Sequence, residues 1–135
     1  MARWLFKSEP DCYSFADLER DGRTLWDGVT NALARKHLRQ VQPGDRVLYY
    51  HTGGEKAIVG VMEAVSGPQP DPADDDPKAV VVEVRPLKRF TAPVPLARVK
   101  EDPLLADWEL VRLPRLSVMP VSEEQWRRVE ELSKK

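Results

Sequence analysis

Residues 46–65 read RVLYYHTGGEKAIVGVMEAV, and they contain the two patterns that decide the fold. In the first, residues 46–51, side chains alternate between two faces, which is the period of a β-strand. The second, residues 57–65, is apolar on both faces, and a strand of this kind is covered on both sides. The two glycines between them supply a turn. The second strand is therefore predicted to be the central strand of a closed or doubly covered sheet.

Shorter strand and helix patterns lie on both sides of this pair. They are predicted at residues 3–7 (strand), 15–20 (helix capped by Ser14 and ended by Gly22), 31–39 (helix), 79–85 (strand closed by Pro86), 95–101 (short helix), 116–121 (strand) and 123–133 (helix with a Ser122/Gln125 capping box). The proline-rich acidic segment 67–78 is predicted to be a surface loop. Because the strands are short and crossover helices are few, the pattern favours an α+β fold. Its centre is a small mixed β-barrel of about five or six strands with flanking short helices.

The composition indicates one domain without a strong electrostatic bias. A chain of 135 residues is of single-domain size, so residues 1–135 are expected to share one core. With 21 basic and 22 acidic residues the net charge is -1, and binding to nucleic acid through bulk charge is excluded. Any such site must be local. The basic stretch 35–39 stands apart from the acidic stretch 71–76, which suggests a basic face, although charged runs are usually solvated surface.

The sparse cysteine and histidine content limits the chemistry. Cys12 is the only cysteine, so an internal disulfide is impossible, and one cysteine with two histidines does not make an ordinary zinc site. The motifs HExxH, GxGxxG and the Walker loop are missing from the sequence, so neither a metal nor a cofactor is expected. No apolar run approaches the roughly 20 residues of a spanning helix, and the N-terminal apolar stretch is too short for a signal peptide. A cytoplasmic monomer without a membrane partner is expected.

Residues 26–31, WDGVTN, place an indole beside the only asparagine of the chain, across a glycine that permits a tight turn. An aromatic face can stack on a nucleobase, and a carboxamide offers a donor and an acceptor to the edge of a base. The same pattern also fits a core tryptophan beside a turn. Both interpretations fit these six residues.

Four blocks of sequence, in this order and spacing over nearly the whole chain, resemble the EVE domain family. They are WLFKSEP (4–10), WDGVTN (26–31) followed by Ala34-Arg35, Gly44-Asp45 leading to YHT (50–52), and RLSVMPV (115–121). The resemblance implies a PUA-like barrel with flanking helices and a pocket for a modified nucleobase, methylated or hydroxymethylated cytosine among them. Members of the family commonly carry arginine at the position of Thr30 and serine at that of Thr52. The resemblance is therefore a weaker guide to the ligand of this chain than to its fold.

A pocket that reads a mark on a base needs a stacking plate, polar groups for the edge of the base and a wall around the added group. Trp26 is expected to stack and Tyr50 and Met119 to form walls. The edge readers are expected to be Asn31, Ser8, His51 and Ser117, with Lys7 and Arg35 on phosphates of DNA or RNA. Each has a structural alternative. Trp26 and Tyr50 fit core packing, Asn31 fits a helix N-cap, the serines fit hydroxyls bonded to backbone, and His51 fits a bond that fixes the glycine turn.

Two other classes of function remain as alternatives. Ser8, His51 and Asp27 can be written as a hydrolase triad, but no nucleophile elbow or oxyanion hole is evident around Ser8. A protein-interaction module could use Trp108 or the helix of Trp126 as its contact face, although the charges around Trp126 resemble a solvated helix packed on one side. A non-catalytic base-binding module is the favoured interpretation.

Overall fold

The computed structural model describes residues 2–134 and places the two deciding strands side by side in a mixed sheet. In chain order the elements are β1 (Arg3–Ser8), α1 (Phe15–Asp21), β2 (Thr24–Trp26), α2 (Ala32–Leu38), β3 (Arg46–His51), β4 (Ala57–Ala64), β5 (Gln69–Pro70), β6 (Val80–Pro95), α3 (Leu96–Glu101), α4 (Glu109–Arg112), β7 (Val118–Pro120) and α5 (Glu123–Leu132). Over the described residues, seven strands form the sheet in the order β2-β6-β4-β3-β1-β7, with β5 paired to β6 beside this path.

The sheet curls into a half-barrel with the short helices around it, which confirms the predicted fold class. Strand β1 is parallel to β3, whereas the β3–β4, β4–β6, β2–β6 and β1–β7 pairs are antiparallel. Strand β4 lies between β3 and β6, and seven of its eight residues are buried. The sequence pattern that is apolar on both faces is therefore the covered middle of the sheet, as predicted.

One glycine of β4 sits where no side chain fits. A Cβ atom added at Gly60 would lie 2.7 Å from the carbonyl oxygen of Lys88 in β6 and 2.8 Å from Cζ of Phe15 in α1. Both distances are shorter than a van der Waals contact. Gly60 therefore lets β6 cross β4 closely while α1 packs against the same point.

Strand β6 is much longer than the predicted strand at residues 79–85, because Pro86 does not end it. The pairing of β4 with β6 shifts register between Val61 and Met62, and Pro86 is opposite Met62 just after the shift. Proline has no amide hydrogen to give to a regular ladder, and a register irregularity is a place where a strand accepts it. The prediction that proline closes this strand was wrong for that reason.

The predicted helix signals are confirmed. The side chain of Ser14 accepts from the Asp17 amide, the Asp17 carboxylate accepts from the Ser14 amide, and Gly22 ends α1 with φ 78°. Ser122 and Gln125 form the same reciprocal box at the start of α5.

In residues 2–134, no helix is long and apolar enough to cross a membrane.

Three short elements were not predicted, and one of them, the two-residue strand β5, lies within the segment 67–78 that was predicted to be a loop. Strand β2 pairs with β6 through only three residues, and α4 is a four-residue helix. Strand β7 covers three residues of the predicted 116–121. Segments this short contain too few repeats of a period to be recognised in sequence, and partners elsewhere in the chain decide their structure.

Candidate functional site

A cavity of about 580 Å³ opens where β1 and β2 end. Its size falls within the usual range of small-molecule sites. It is lined by Lys7, Ser8, Cys12, Tyr13, residues 24–29 and Ser117. The structure thus brings together four of the predicted site residues, namely Lys7, Ser8, Trp26 and Ser117.

Trp26 belongs to the core and to the cavity at once. Its side chain is 7% exposed. The ring centroid lies 5.4 Å from that of Phe6 and 5.2 Å from that of Tyr49, which meets it edge-on. Gly28, with φ 72°, turns the chain directly after it. Phe6 and Tyr49 leave part of the indole uncovered, and this part contributes to the cavity wall.

Tyr13 is a second aromatic of the cavity, and the sequence did not single it out. Its hydroxyl donates to Oδ2 of Asp21 at 2.9 Å, and its carbonyl accepts from the hydroxyl of Tyr49 at 2.6 Å. Burial raises the pKa of the Tyr13 phenol, and the bond to Asp21 raises it further, so the hydroxyl stays protonated at neutral pH. Tyr13 lies just ahead of α1, outside any strand or helix, so no periodic pattern marks its position.

The polar groups of the cavity come from separate parts of the chain. Ser8 ends β1, Ser117 precedes β7, and the exposed Asp27 follows β2. The Lys7 ammonium donates to the carbonyl of Pro114 at 3.0 Å and lies 5.4 Å from the ring centroid of Tyr50. Burial lowers the pKa of Lys7. The cavity therefore offers the hydroxyls of Ser8, Thr24 and Ser117, one carboxylate and one amine beside its aromatic walls.

His51 and Tyr50, both expected in the pocket, do not line this cavity. Nε2 of His51 accepts from the amide of Phe15 at 3.0 Å, so the proton is on Nδ1, which donates to Glu55 Oε1 at 2.8 Å. Both ring nitrogens are engaged. His51 thus connects α1 to Glu55, which follows the glycine turn. This is close to the alternative in which His51 makes a bond that fixes that turn. Tyr50 is buried in the core, with Lys7 above its ring.

Asn31 and Met119 are also placed elsewhere. Oδ1 of Asn31 accepts from the amide of Ala34 at 3.0 Å, so the side chain caps α2. Met119 is completely buried, opposite Leu5 in the β1–β7 pair. The expectation that these two residues form part of the cavity is corrected on this geometry.

Arg35 does not extend toward solvent, as a phosphate contact would. Its Nε donates to the carbonyl of Val29 at 2.7 Å, its Nη1 lies 3.1 Å from Oδ2 of Asp76, and its side chain is 11% exposed. Arg39 donates to the carbonyl of Lys78 at 2.7 Å. The basic stretch 35–39 thus holds the acidic loop instead of forming a separate basic face, which corrects that expectation.

The residues behind the two alternative functions are not arranged for them. Among residues 2–134, no side-chain hydrogen bond joins Ser8 to His51, whose ring nitrogens face Phe15 and Glu55. Trp108 and Trp126 are 1% and 6% exposed, so neither offers a contact face. The described part of the chain also contains no group of three or more metal-binding side chains.

A family model described as the EVE domain matches residues 2–132. The chain belongs to the EVE domain family. This EVE domain is 31% identical to human thymocyte nuclear protein 1 over 162 aligned residues, which cover 93% of the chain and 71% of that relative. The family resemblance of the four sequence blocks is thereby confirmed.

Solved structures agree with this membership. The NMR structure of Rpa0253 from Rhodopseudomonas palustris is 40% identical to this EVE domain, with a TM-score of 0.93 over 98% of this chain and 93% of that one. The crystal structure of human THYN1 protein, in complex with DNA that contains 5-methylcytosine, is 28% identical. Its TM-score is 0.91, over 100% of this chain and 99% of that one.

Proposed function

We propose that this EVE domain binds a modified nucleobase, such as methylated or hydroxymethylated cytosine, in DNA or RNA. The observation that carries the proposal is the cavity of about 580 Å³ in which the aromatic side chains of Tyr13 and Trp26 meet serine, threonine, aspartate and lysine side chains. The solved complex of human THYN1 protein with 5-methylcytosine DNA supports it, because that structure shares this fold over the full chain. The partner is therefore nucleic acid, and the bound group is a single base.

A base inside this cavity cannot remain stacked in a duplex, because the walls surround it on several sides. Proteins that handle one base take it out of the stack or meet it in a single strand, and the unstacking costs a few kcal/mol. Aromatic contact with the base, about 1 to 3 kcal/mol per base, offsets that cost. Tyr13 and the exposed part of Trp26 supply this contact.

The polar groups match the edge of a cytosine. The exocyclic amino group of cytosine is a donor, and carboxylates accept from it in protein–DNA contacts. Asp27 is the carboxylate that lines the cavity, and the hydroxyls of Ser8 and Ser117 can donate to the acceptors of the same edge. Asp27 thus takes the edge-reading role that was expected of Asn31.

Catalysis forms no part of the proposal. A hydrolytic serine needs a base within hydrogen-bond reach, and the imidazole of His51 is held between Phe15 and Glu55 instead. The cavity binds and retains the base, and the chemistry of the base is left unchanged.

The test is a titration with oligonucleotides that differ at one base: cytosine, 5-methylcytosine, 5-hydroxymethylcytosine and thymine. The wild type is expected to bind a modified cytosine at least roughly tenfold more tightly than cytosine or thymine. Asp27→Ala is expected to lose about 1 to 3 kcal/mol of that discrimination against thymine. The control is Asp107→Ala, an exposed carboxylate that does not line the cavity. Equal affinity of the wild type for all four oligonucleotides would refute the proposal.

A further inference from the structure

A second groove of about 300 Å³ lies next to the base cavity and has no part in the function proposed above. Its lining is apolar with two arginines and no acid: Asn31, Leu33, Arg112, Leu113, Pro114, Arg115 and Leu116. Leu33 and Leu113 are 40% and 39% exposed, and they lie together in one groove, where neighbouring exposed apolar side chains are more informative than a single exposed leucine. The groove therefore combines an exposed apolar floor with positive charge.

Arg115 differs from the other arginines of the chain. Ten of the thirteen arginines form ion pairs. Of the other three, Arg3 lies over the ring of Trp126 and Arg39 donates to a carbonyl. Among the arginines of residues 2–134, Arg115 is the only one without an ion pair, a side-chain hydrogen bond or an aromatic ring as its partner. Its guanidinium is thus available for an anion beside the groove.

The groove and the base cavity are adjacent. Leu116 lines the groove and Ser117 lines the cavity, and the Cα atoms of consecutive residues are about 3.8 Å apart. The bond from Lys7, in the cavity, to the carbonyl of Pro114, in the groove, joins the two walls. The groove is therefore close enough for a strand that places one base in the cavity to reach it with a neighbouring nucleotide.

We infer that this groove binds the nucleotide next to the base held in the cavity. Leu33 and Leu113 contact the face of its base, and Arg115 binds its phosphate. The inference rests on the proposed function. A phosphodiester suits a groove with two arginines and no carboxylate, and apolar contact with a ring face is possible for every base. The second site thus adds affinity for nucleic acid without adding a requirement for one neighbouring sequence.

The experiment compares short ligands that contain one modified cytosine. They are the single nucleotide, dinucleotides with a normal neighbour on the 5′ or the 3′ side, and the same dinucleotides with an abasic neighbour. One of the two neighbours is expected to tighten binding by roughly tenfold, and the abasic sugar-phosphate to retain only part of that gain. Arg115→Ala is expected to remove the phosphate contribution and, in a single-stranded oligonucleotide with the same modified cytosine, to lower the magnitude of the slope of log K against log salt by about 0.7. The double variant Leu33→Ala/Leu113→Ala is expected to abolish the difference between normal and abasic neighbours.

Controls separate this inference from the proposal on which it rests. Both groove variants should keep the wild-type ratio of affinities for the modified and the plain single nucleotide, and their thermal unfolding should confirm that they are folded. Arg98→Ala, at an exposed arginine of α3 outside both sites, should leave every ligand unchanged. If the wild type discriminates the modified nucleotide but gains nothing from either neighbour, the groove is not a nucleotide site and the base cavity stands. If the wild type discriminates no modified ligand, both are overturned.

Discussion

Under the proposed function, Trp26 serves both stability and binding. Phe6 and Tyr49 fix the indole from the core side, so the part that lines the cavity is held without a mobile rotamer. Pre-ordering of this kind lowers the entropic cost of binding a ring. The two interpretations of Trp26 that the sequence left open are therefore compatible.

Lys7 gives the cavity a pH dependence. Burial lowers its pKa below the ordinary value of 10.5, so its positive charge is lost at a lower pH than that of a solvated lysine. Since the charge attracts phosphate, affinity for the modified oligonucleotide is expected to fall as pH rises through the lowered pKa. Lys7→Arg keeps its charge in that range, so its affinity should stay level. The measurement is the dissociation constant between pH 7 and pH 10, and parallel curves for the two proteins would contradict the role of Lys7.

At the residue scale, the sequence pattern identified the cavity-lining side chains that lie at the ends of strands. It missed the one whose position depends on how distant parts of the chain fold together. Ser8 and Trp26 lie at the ends of β1 and β2, where a strand delivers its side chains to an edge. Tyr13 reaches the cavity only because the chain ahead of α1 folds back over Tyr49. Asn31, chosen for its chemistry, satisfies the amide of Ala34 instead. Polar chemistry alone does not tell a ligand contact from a cap.

At the scale of elements, α2 connects the acidic loop to the turn that forms one side of the cavity. Arg35 bonds both to Val29, which lines the cavity, and to Asp76 of the loop. The hydrogen bonds from the Lys78 amide and from Arg35 lower the pKa of the Asp76 carboxyl, so this contact is charged at neutral pH. Arg35 is thus a positioning residue for the turn of residues 26–31.

Loss of this connection should loosen the cavity without removing a phosphate contact. Arg35→Gln is expected to weaken binding of the modified oligonucleotide, because the guanidinium loses both its bond to the Val29 carbonyl and its ion pair with the exposed Asp76 carboxylate. The slope of log K against log salt should remain that of the wild type. Asp76→Asn should act in the same direction, and Asp75→Asn, in the same loop, is the matched control. A reduced salt slope in Arg35→Gln would instead assign the residue to phosphate binding.

Local signals also explain which elements were predictable. Capping boxes and glycine C-caps involve residues within one turn of each other, so Ser14, Gly22 and Ser122 are visible in sequence. The turn at residues 42–45 is also visible in sequence, although one of the hydrogen bonds that stabilise it comes from a residue far away in the chain. The Asp45 carboxylate accepts from the Gln42 amide at 2.9 Å and from the Trp4 indole at 3.0 Å. The length of β6 was missed because the register shift that admits Pro86 is a property of the β4–β6 pair and not of either strand.

At the scale of the whole molecule, the crossing of β4, β6 and α1 at Gly60 holds the half-barrel together. Gly60→Ala is expected to lower the free energy of unfolding by about 1 to 3 kcal/mol, the usual cost of overpacking a core, because the carbonyl of Lys88 is backbone and cannot turn aside. Gly54→Ala is the control, since a Cβ there meets nothing within 4 Å. Chemical denaturation of both variants measures the difference. Equal stability of the two would show that β6 can shift without cost.

The net charge of -1 is also a property of the whole molecule, and it affects how the protein meets nucleic acid. Without a bulk positive field, the protein gains little from long-range attraction to nucleic acid. Under the proposed function, recognition therefore depends on hydrogen bonds and ring contacts in the cavity and its immediate surroundings. The central claim is therefore that the modified base lies inside the cavity.

The most direct test of that claim is an NMR measurement of contacts from the methyl group of ¹³C-methyl-labelled 5-methylcytosine, in an oligonucleotide bound to the isotope-labelled protein. Intermolecular NOEs are expected from the methyl protons to the rings of Trp26 and Tyr13 and to Val29. The resonances of Trp108 and Trp126, buried away from the cavity, should show none. NOEs confined to Leu33 and Leu113, or saturable binding without any NOE to the cavity, would contradict the placement of the modified base.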